Sequence, residues 1–377
     1  MGCGGPLEFD RDPPIEPLRD AFRSSGGRPG LRRWAEALPL ERPGELLSRG
    51  EGGTPLVEEP FSGVPVRLLL DYLNPTGSYK DRGAAVLVSD LRGQRGRILI
   101  EDSSGNAGAA VALYGTASGR QVRIYAPAMA TPGKLRLIER FPHARVVSCD
   151  GATPSQARER AAQRAVEEAG RPGRLYASHV WQPAFRHGVK TAAWEIASGV
   201  APQEPSAVVF PVGNGILALG LSLGFSELVA AGLISRLPLL IGVQAAACAP
   251  VARAHARAAG RRRPDEQRGE TACEGIRIAS PPLLREIVAA IVASRGKVLT
   301  VKEATTRHAL DGLWGRGYPV ELTSAVVAAI LTEYAGHWRR RFTSEGRTGP
   351  IVGILTGSGL KAEGRTGPNG KGNESPR

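Results

Sequence analysis

Short apolar runs alternate with helical stretches along most of this chain, and that alternation restricts its fold more than any other feature. Val66 to Leu70, Arg97 to Ile100, Val122 to Tyr125, Ala144 to Ser148 and Leu175 to Ser178 read as strands. Helices are expected from Lys80, after Gly105, and over Pro132 to Arg140, Pro154 to Ala169 and Gly188 to Ile196. A second series places strands at Ala207 to Phe210, Leu239 to Val243, Lys297 to Val301 and Ile351 to Leu355. Its helices run over Leu217 to Ala231, Ala304 to Gly315 and Ser324 to Tyr334. Strand–helix alternation of this kind builds parallel sheets covered by helices on both faces. Two series imply an α/β protein of two lobes, with ligands held at the carboxyl ends of strands between them.

The 377 residues suffice for two cores, and 42% hydrophobic with 23% charged residues is an ordinary globular balance. The expected organisation is an N-terminal segment over 1–50 with a short helix near Leu31 to Leu38, a large lobe from 51–96 plus 197–361, and a small mobile lobe over 97–196. Residues 362–377 lack apolar periodicity and are expected to be disordered. The hexapeptide Glu-Gly-Arg-Thr-Gly-Pro occurs at 345–350 and again at 363–368, which reads as a duplicated tail.

A formal charge of +13 raises the question of nucleic acid, since phosphate neutralisation drives such binding. The arginines are scattered, however, and no aromatic residues alternate with them. The densest run, Arg261 to Arg263, falls in a Gly/Pro/Glu-rich loop, so no nucleic-acid partner is expected. The four cysteines, Cys3, Cys149, Cys248 and Cys273, form no CxxC pair. No apolar run approaches the roughly 20 residues of a membrane span. A cytoplasmic protein with reduced thiols and no membrane partner is the expectation.

Four loops carry the chemistry. Asn74-Pro75-Thr76-Gly77-Ser78-Tyr79-Lys80-Asp81-Arg82-Gly83 is rich in turn formers and opens into Ala84 to Val88. A lysine at the first turn of a helix can trap a carbonyl, but only as the free amine. Glu101-Asp102-Ser103-Ser104-Gly105-Asn106-Ala107-Gly108 is a small polar loop between a strand and a helix, suited to an anionic or carboxylate ligand. Pro211-Val212-Gly213-Asn214-Gly215-Ile216-Leu217 is again strand-to-helix, and its glycines let a phosphate approach unpaired amides. Thr356-Gly357-Ser358-Gly359-Leu360-Lys361 follows the last strand with hydroxyls. Together they describe a site for a phosphorylated aldehyde.

These motifs, in this order, resemble those of the fold-type II pyridoxal-phosphate enzymes, in particular the threonine synthase-like branch. Gly53-Thr54-Pro55-Leu56, Gly188-Val189-Lys190-Thr191 and Glu321-Leu322-Thr323-Ser324-Ala325 support the likeness, which covers about residues 30 to 361. It implies a two-lobed, parallel-sheet fold with pyridoxal 5'-phosphate in the interdomain cleft. It makes Lys80 the lysine that carries the cofactor and moves protons, and Asn106 the partner of the ring hydroxyl. Ser103, Ser104, Gly105, Asn106, Ala107 and Gly108 would hold the substrate carboxylate. Gly213, Asn214, Gly215, Ile216 and Leu217 would bind the cofactor phosphate, with Thr356 beside the pyridine nitrogen. The cofactor acts as electron sink while the protein orients it. Relatives are commonly homodimers acting on a small amino acid.

Three departures bear on substrate and metal. Cys3-Gly4-Gly5-Pro6-Leu7 looks like the remnant of a zinc ribbon without its other ligands, so no metal is expected. Where relatives that use phosphohomoserine place a serine and an arginine, this chain has Val180 and Phe185, with Arg186 one position off. Ser358 stands where many relatives have histidine. The implied activity is a threonine synthase-like lyase, O-phosphohomoserine plus water giving threonine and phosphate. The alternatives are a dehydratase-type β-elimination on serine or threonine, and a non-catalytic pyridoxal-phosphate binder.

Overall fold

The structure, a computed structural model, describes residues 14–24, 30–103, 105–260 and 271–361. The expectations for Cys3, Ser104, Arg261 to Arg263 and the tail 362–377 lie outside the described residues. Among the described residues, ten strands form two sheets. They are β1 (Leu56–Phe61), β2 (Val64–Leu69), β3 (Ile98–Glu101), β4 (Gln121–Pro127), β5 (Ala144–Cys149), β6 (Arg174–Tyr176), β7 (Ala207–Pro211), β8 (Leu239–Ala245), β9 (Lys297–Val301) and β10 (Ile351–Ile354). The six-stranded sheet has the order β1-β2-β10-β7-β8-β9, and the four-stranded sheet β5-β4-β3-β6.

All strand pairs are parallel except β1 with β2, a hairpin that adds an antiparallel edge. Its turn is Ser62-Gly63, with φ of 48° and 74°, the double positive-φ geometry that matches strand twist. Sequence reading missed β1 because its Glu58-Glu59-Pro60 interrupts any apolar pattern. This strand sits at an edge, where polar residues and proline are tolerated.

The large sheet separates two cores, and the period-two alternation of its strands divides their side chains between them. Val208 and Phe210 of β7, with Val352 and Ile354 of β10, join the core on one face. Ala207, Val209 and Ile351 join the other, under the helix Leu322–Ser344. β7 and β8 are buried throughout, as central strands covered on both faces must be. The helix Pro154–Ala169 covers the small sheet, with Ala161 and Ala165 packed against Ile100, Tyr125 and Cys149.

The stretch expected as one helix from Gly188 to Ile196 is two, Pro183–Val189 and Thr191–Val200. The first crosses the helix Lys80–Leu91 at glycine contacts. A Cβ on Gly188 would stand 2.1 Å from the main-chain oxygen of Arg82, and one on Gly83 2.2 Å from the Phe185 ring. That close approach fixes the helix whose first residue is Lys80.

Candidate active site

The four polar loops meet at the carboxyl ends of β2, β3, β7 and β10, around a cleft of about 900 Å³. The Lys80 loop is held rigidly. Asn74 Oδ1 accepts from the Gly52 amide at 2.8 Å, and Gly77 closes a turn onto Asn74. Asp81 accepts from both the amide and the hydroxyl of Thr76. Arg82 is fully buried and bonds Asp71 and Glu195, each at 2.7 Å. The Tyr79 amide donates to the Thr356 carbonyl at 3.1 Å, and the Ser358 amide to the Gly77 carbonyl at 2.9 Å. The first and fourth loops are therefore joined directly beside Lys80.

Lys80 lines the cleft with Tyr79 and Phe185 beside its amine, their ring centres 4.9 and 5.6 Å from Nζ. Burial brings its pKa down from 10.5 to about 7, against the opposing charge of Glu101. A near-neutral amine is the form that attacks a carbonyl.

Glu101 and His179 form a pair that sequence reading did not single out. Glu101 is fully buried at the end of β3, and its Oε1 lies 2.6 Å from His179 Nδ1. Burial raises its pKa to about 8, and burial with the Lys80 charge lowers that of His179 to about 3. The other imidazole nitrogen lies 3.3 Å from Asn214 Nδ2, and His179 lines the cleft. The pair thus reaches from the strand end to the third loop, past Lys80. The signal available was Glu101 itself, a carboxylate at the end of a buried strand.

Ser103, Gly105, Asn106 and Ala107 line the cleft, whereas Gly108 does not; a Cβ there would stand 1.8 Å from the Ser103 carbonyl oxygen. Asn106 donates to Glu321 at 3.0 Å and accepts from Lys361 at 2.7 Å, which orients its amide. Gly213, Asn214, Gly215 and Leu217 also line the cleft, while Ile216 turns into the apolar core. Gly215, at φ 79°, precedes the helix Ile216–Ala230, whose first amides lack helical acceptors. Added Cβ atoms would meet the Gly275 carbonyl at 2.4 Å from Gly213 and Ile287 at 2.2 Å from Gly215. Only glycines give this bare cradle, and it fits a phosphate. Thr356 is 2% exposed, its hydroxyl 3.2 Å from that of Ser324.

In the segment that departs from the family pattern, Val180 lines the cleft and Phe185 is fully buried against Gly83. Arg186 is 7% exposed and does not line the cleft. No group of three or more metal-ligating side chains occurs among the described residues, and none of their helices is long and apolar enough to cross a membrane.

A family model described as pyridoxal-phosphate dependent enzyme matches residues 47–357. The threonine synthase of Methanocaldococcus jannaschii is 30% identical over 372 residues, covering 95% of this chain and 87% of that protein. That of Mycobacterium leprae is 32% identical over 345 residues, covering 88% of each. Among solved structures, the T.th. threonine deaminase aligns with a TM-score of 0.65 and 25% identity, over 92% of this chain and 98% of that one. Maize serine racemase aligns with a TM-score of 0.66 at 19% identity, over 92% and 93% of the two chains, a likeness of fold. A readily deprotonated lysine that shares one cleft with a glycine-walled phosphate cradle suits pyridoxal 5'-phosphate, the cofactor named by that family. By match and by site, the chain belongs to the pyridoxal-phosphate dependent enzyme family.

Proposed function

We propose that this protein converts O-phosphohomoserine and water to threonine and phosphate. The observation that carries the reading is the full-length likeness to threonine synthases, with all four site loops converging on one deprotonatable lysine. Lys80 holds the cofactor. Gly213, Asn214, Gly215 and the amides that open the helix Ile216–Ala230 take its phosphate, and Asn106 and Thr356 flank its ring. Bound pyridoxal phosphate supplies the electron sink that makes the substrate's α-proton acidic. Lys80, with its pKa brought to about 7, can remove a proton and return it near the leaving group at neutral pH. Thr356 offers a neutral hydroxyl, which supports elimination and replacement better than transamination. Ser103, Gly105 and Ala107 form the loop that receives the substrate carboxylate. The lobe over 97–196 moves to close the cleft, and the enzyme acts in the cytoplasm as a homodimer.

A second reading, β-elimination on serine or threonine, is supported by Val180 and the buried Phe185, which leave that loop without a phosphate contact. Purified holoenzyme should release phosphate and threonine from O-phosphohomoserine. Release of ammonia and an oxo acid from serine or threonine, with no phosphate from O-phosphohomoserine, would move the assignment to the second reading. A cofactor-bound protein inert toward every amino acid would make it a non-catalytic binder.

A further inference from the structure

Two arginines, carried by elements of the two different sheets, line the cleft. Arg158 stands in the first turns of the helix Pro154–Ala169, which covers the small sheet. Arg277 lies between β8 and β9 of the large one. Both are half-buried and line the cleft that holds Lys80. Arg158 Nη1 donates to the main-chain oxygen of Arg277 at 2.6 Å, and Arg277 Nη1 donates to the Thr271 carbonyl at 3.4 Å. Burial and the neighbouring Arg277 charge both press Arg158 away from its cationic form. Among the described residues, no carboxylate lies within ion-pair distance of either guanidinium. Glu274, whose charge reaches both, is engaged by Lys134 at 2.9 Å and by the Thr131 hydroxyl.

Like charges held together in a partly desolvated wall are disfavoured until an anion joins them. Lys80, His179, Arg158 and Arg277 all line this one cleft. The segment around Val180 to Arg186 offers no competing cation to the cleft.

We propose that Arg158 and Arg277 together receive a dianionic group at the distal end of the amino-acid substrate, with one arginine carried by an element of each sheet. This rests on the phosphohomoserine reading and names the residues that recognise its phosphate. Each guanidinium offers a planar fork matched to phosphate oxygens. A dianion between them removes the repulsion at a point where the helix Pro154–Ala169 and the loop carrying Arg277 already touch.

The test compares 2-amino-5-phosphonopentanoate with norvaline, an amino acid whose tail is uncharged, by titrating holoenzyme and following the cofactor absorbance. Losing one charge-assisted contact should cost about 10- to 100-fold in affinity for the phosphonate. R158Q and R277Q should each erase most of the preference over norvaline. R160Q, a control on the exposed side of the same helix, should keep it. R158K and R277K, which retain charge without the fork, should fall between; they also decide the matter if a glutamine variant does not fold. A wild-type protein with no preference for the phosphonate, or variants that keep it, would overturn the proposal. Were the preference to depend on the arginines while O-phosphohomoserine released no phosphate, the reaction assignment would fall and the anion site would stand. Phosphate release with an unchanged KM in R158Q and R277Q would have the opposite meaning.

Discussion

The burial of Lys80 makes a quantitative prediction about cofactor capture. Its amine is brought from 10.5 to about 7 by desolvation. At pH 7 about half of the molecules then carry a free amine, against about one in 3000 for an unperturbed lysine. The rate at which apoprotein captures the aldehyde at fixed concentration should therefore rise about tenfold per pH unit below pH 7 and flatten above it. Stopped-flow absorbance across pH 5 to 10 measures this, with borohydride fixation and peptide mapping to identify the modified lysine. Parallel runs with pyridoxal, which lacks the phosphate, separate titration of the lysine from titration of the cofactor. A rate that keeps climbing to pH 10 would show that the cleft hydrates Lys80 like a surface lysine. Labelling that persists in K80A would show that the wrong lysine was identified.

Three further outcomes follow from the same geometry. Glu101, raised from 4.5 to about 8, holds a proton in the folded state that the unfolded chain has released, so its burial makes stability fall as pH rises across that window. Denaturant midpoints of the apoprotein at pH 5 and pH 7 should shift in favour of E101Q at the higher pH; parallel lines for variant and wild type would contradict this. G215A places a Cβ 2.2 Å from Ile287 at a φ of 79° and should weaken cofactor binding far more than G232A, whose φ of 66° faces open space. The backbone penalty common to both is about 1–2 kcal/mol, and cofactor titrations beside thermal melts separate the two effects. R82M strands the buried Asp71 and Glu195 carboxylates and should cost about 3–5 kcal/mol by denaturant unfolding; a loss below about 1 kcal/mol, the size of an exposed pair, would mean the cluster is hydrated.

Much of the site could be read from the chain because its loops are local objects. Each of the four motifs sits where an apolar run stops and small polar residues begin, so its place at a strand end follows from nearby residues alone. The elements that were missed or misjudged are those whose identity depends on neighbours. β1 reads as polar because it lies at an edge, and the helix expected from Gly188 is broken at Lys190 by packing against Arg82 and the helix Ile216–Ala230. His179 carried no signal of its own: it lies in an irregular segment far from Lys80 in sequence, and nothing local marks it as the partner of Glu101.

The alternation of apolar runs, the glycines of the phosphate cradle and the lysine at a helix start belong to the sequence alone, since each rests on backbone geometry and side-chain type within a few residues. Tertiary structure decided the rest. It lowered the Lys80 amine by enclosing it, joined Glu101 to His179 across 78 positions, and set Arg158 against Arg277 across 119. Charge and desolvation act through space, so residues with no sequence relation share one electrostatic environment only after the two sheets have closed around the cleft.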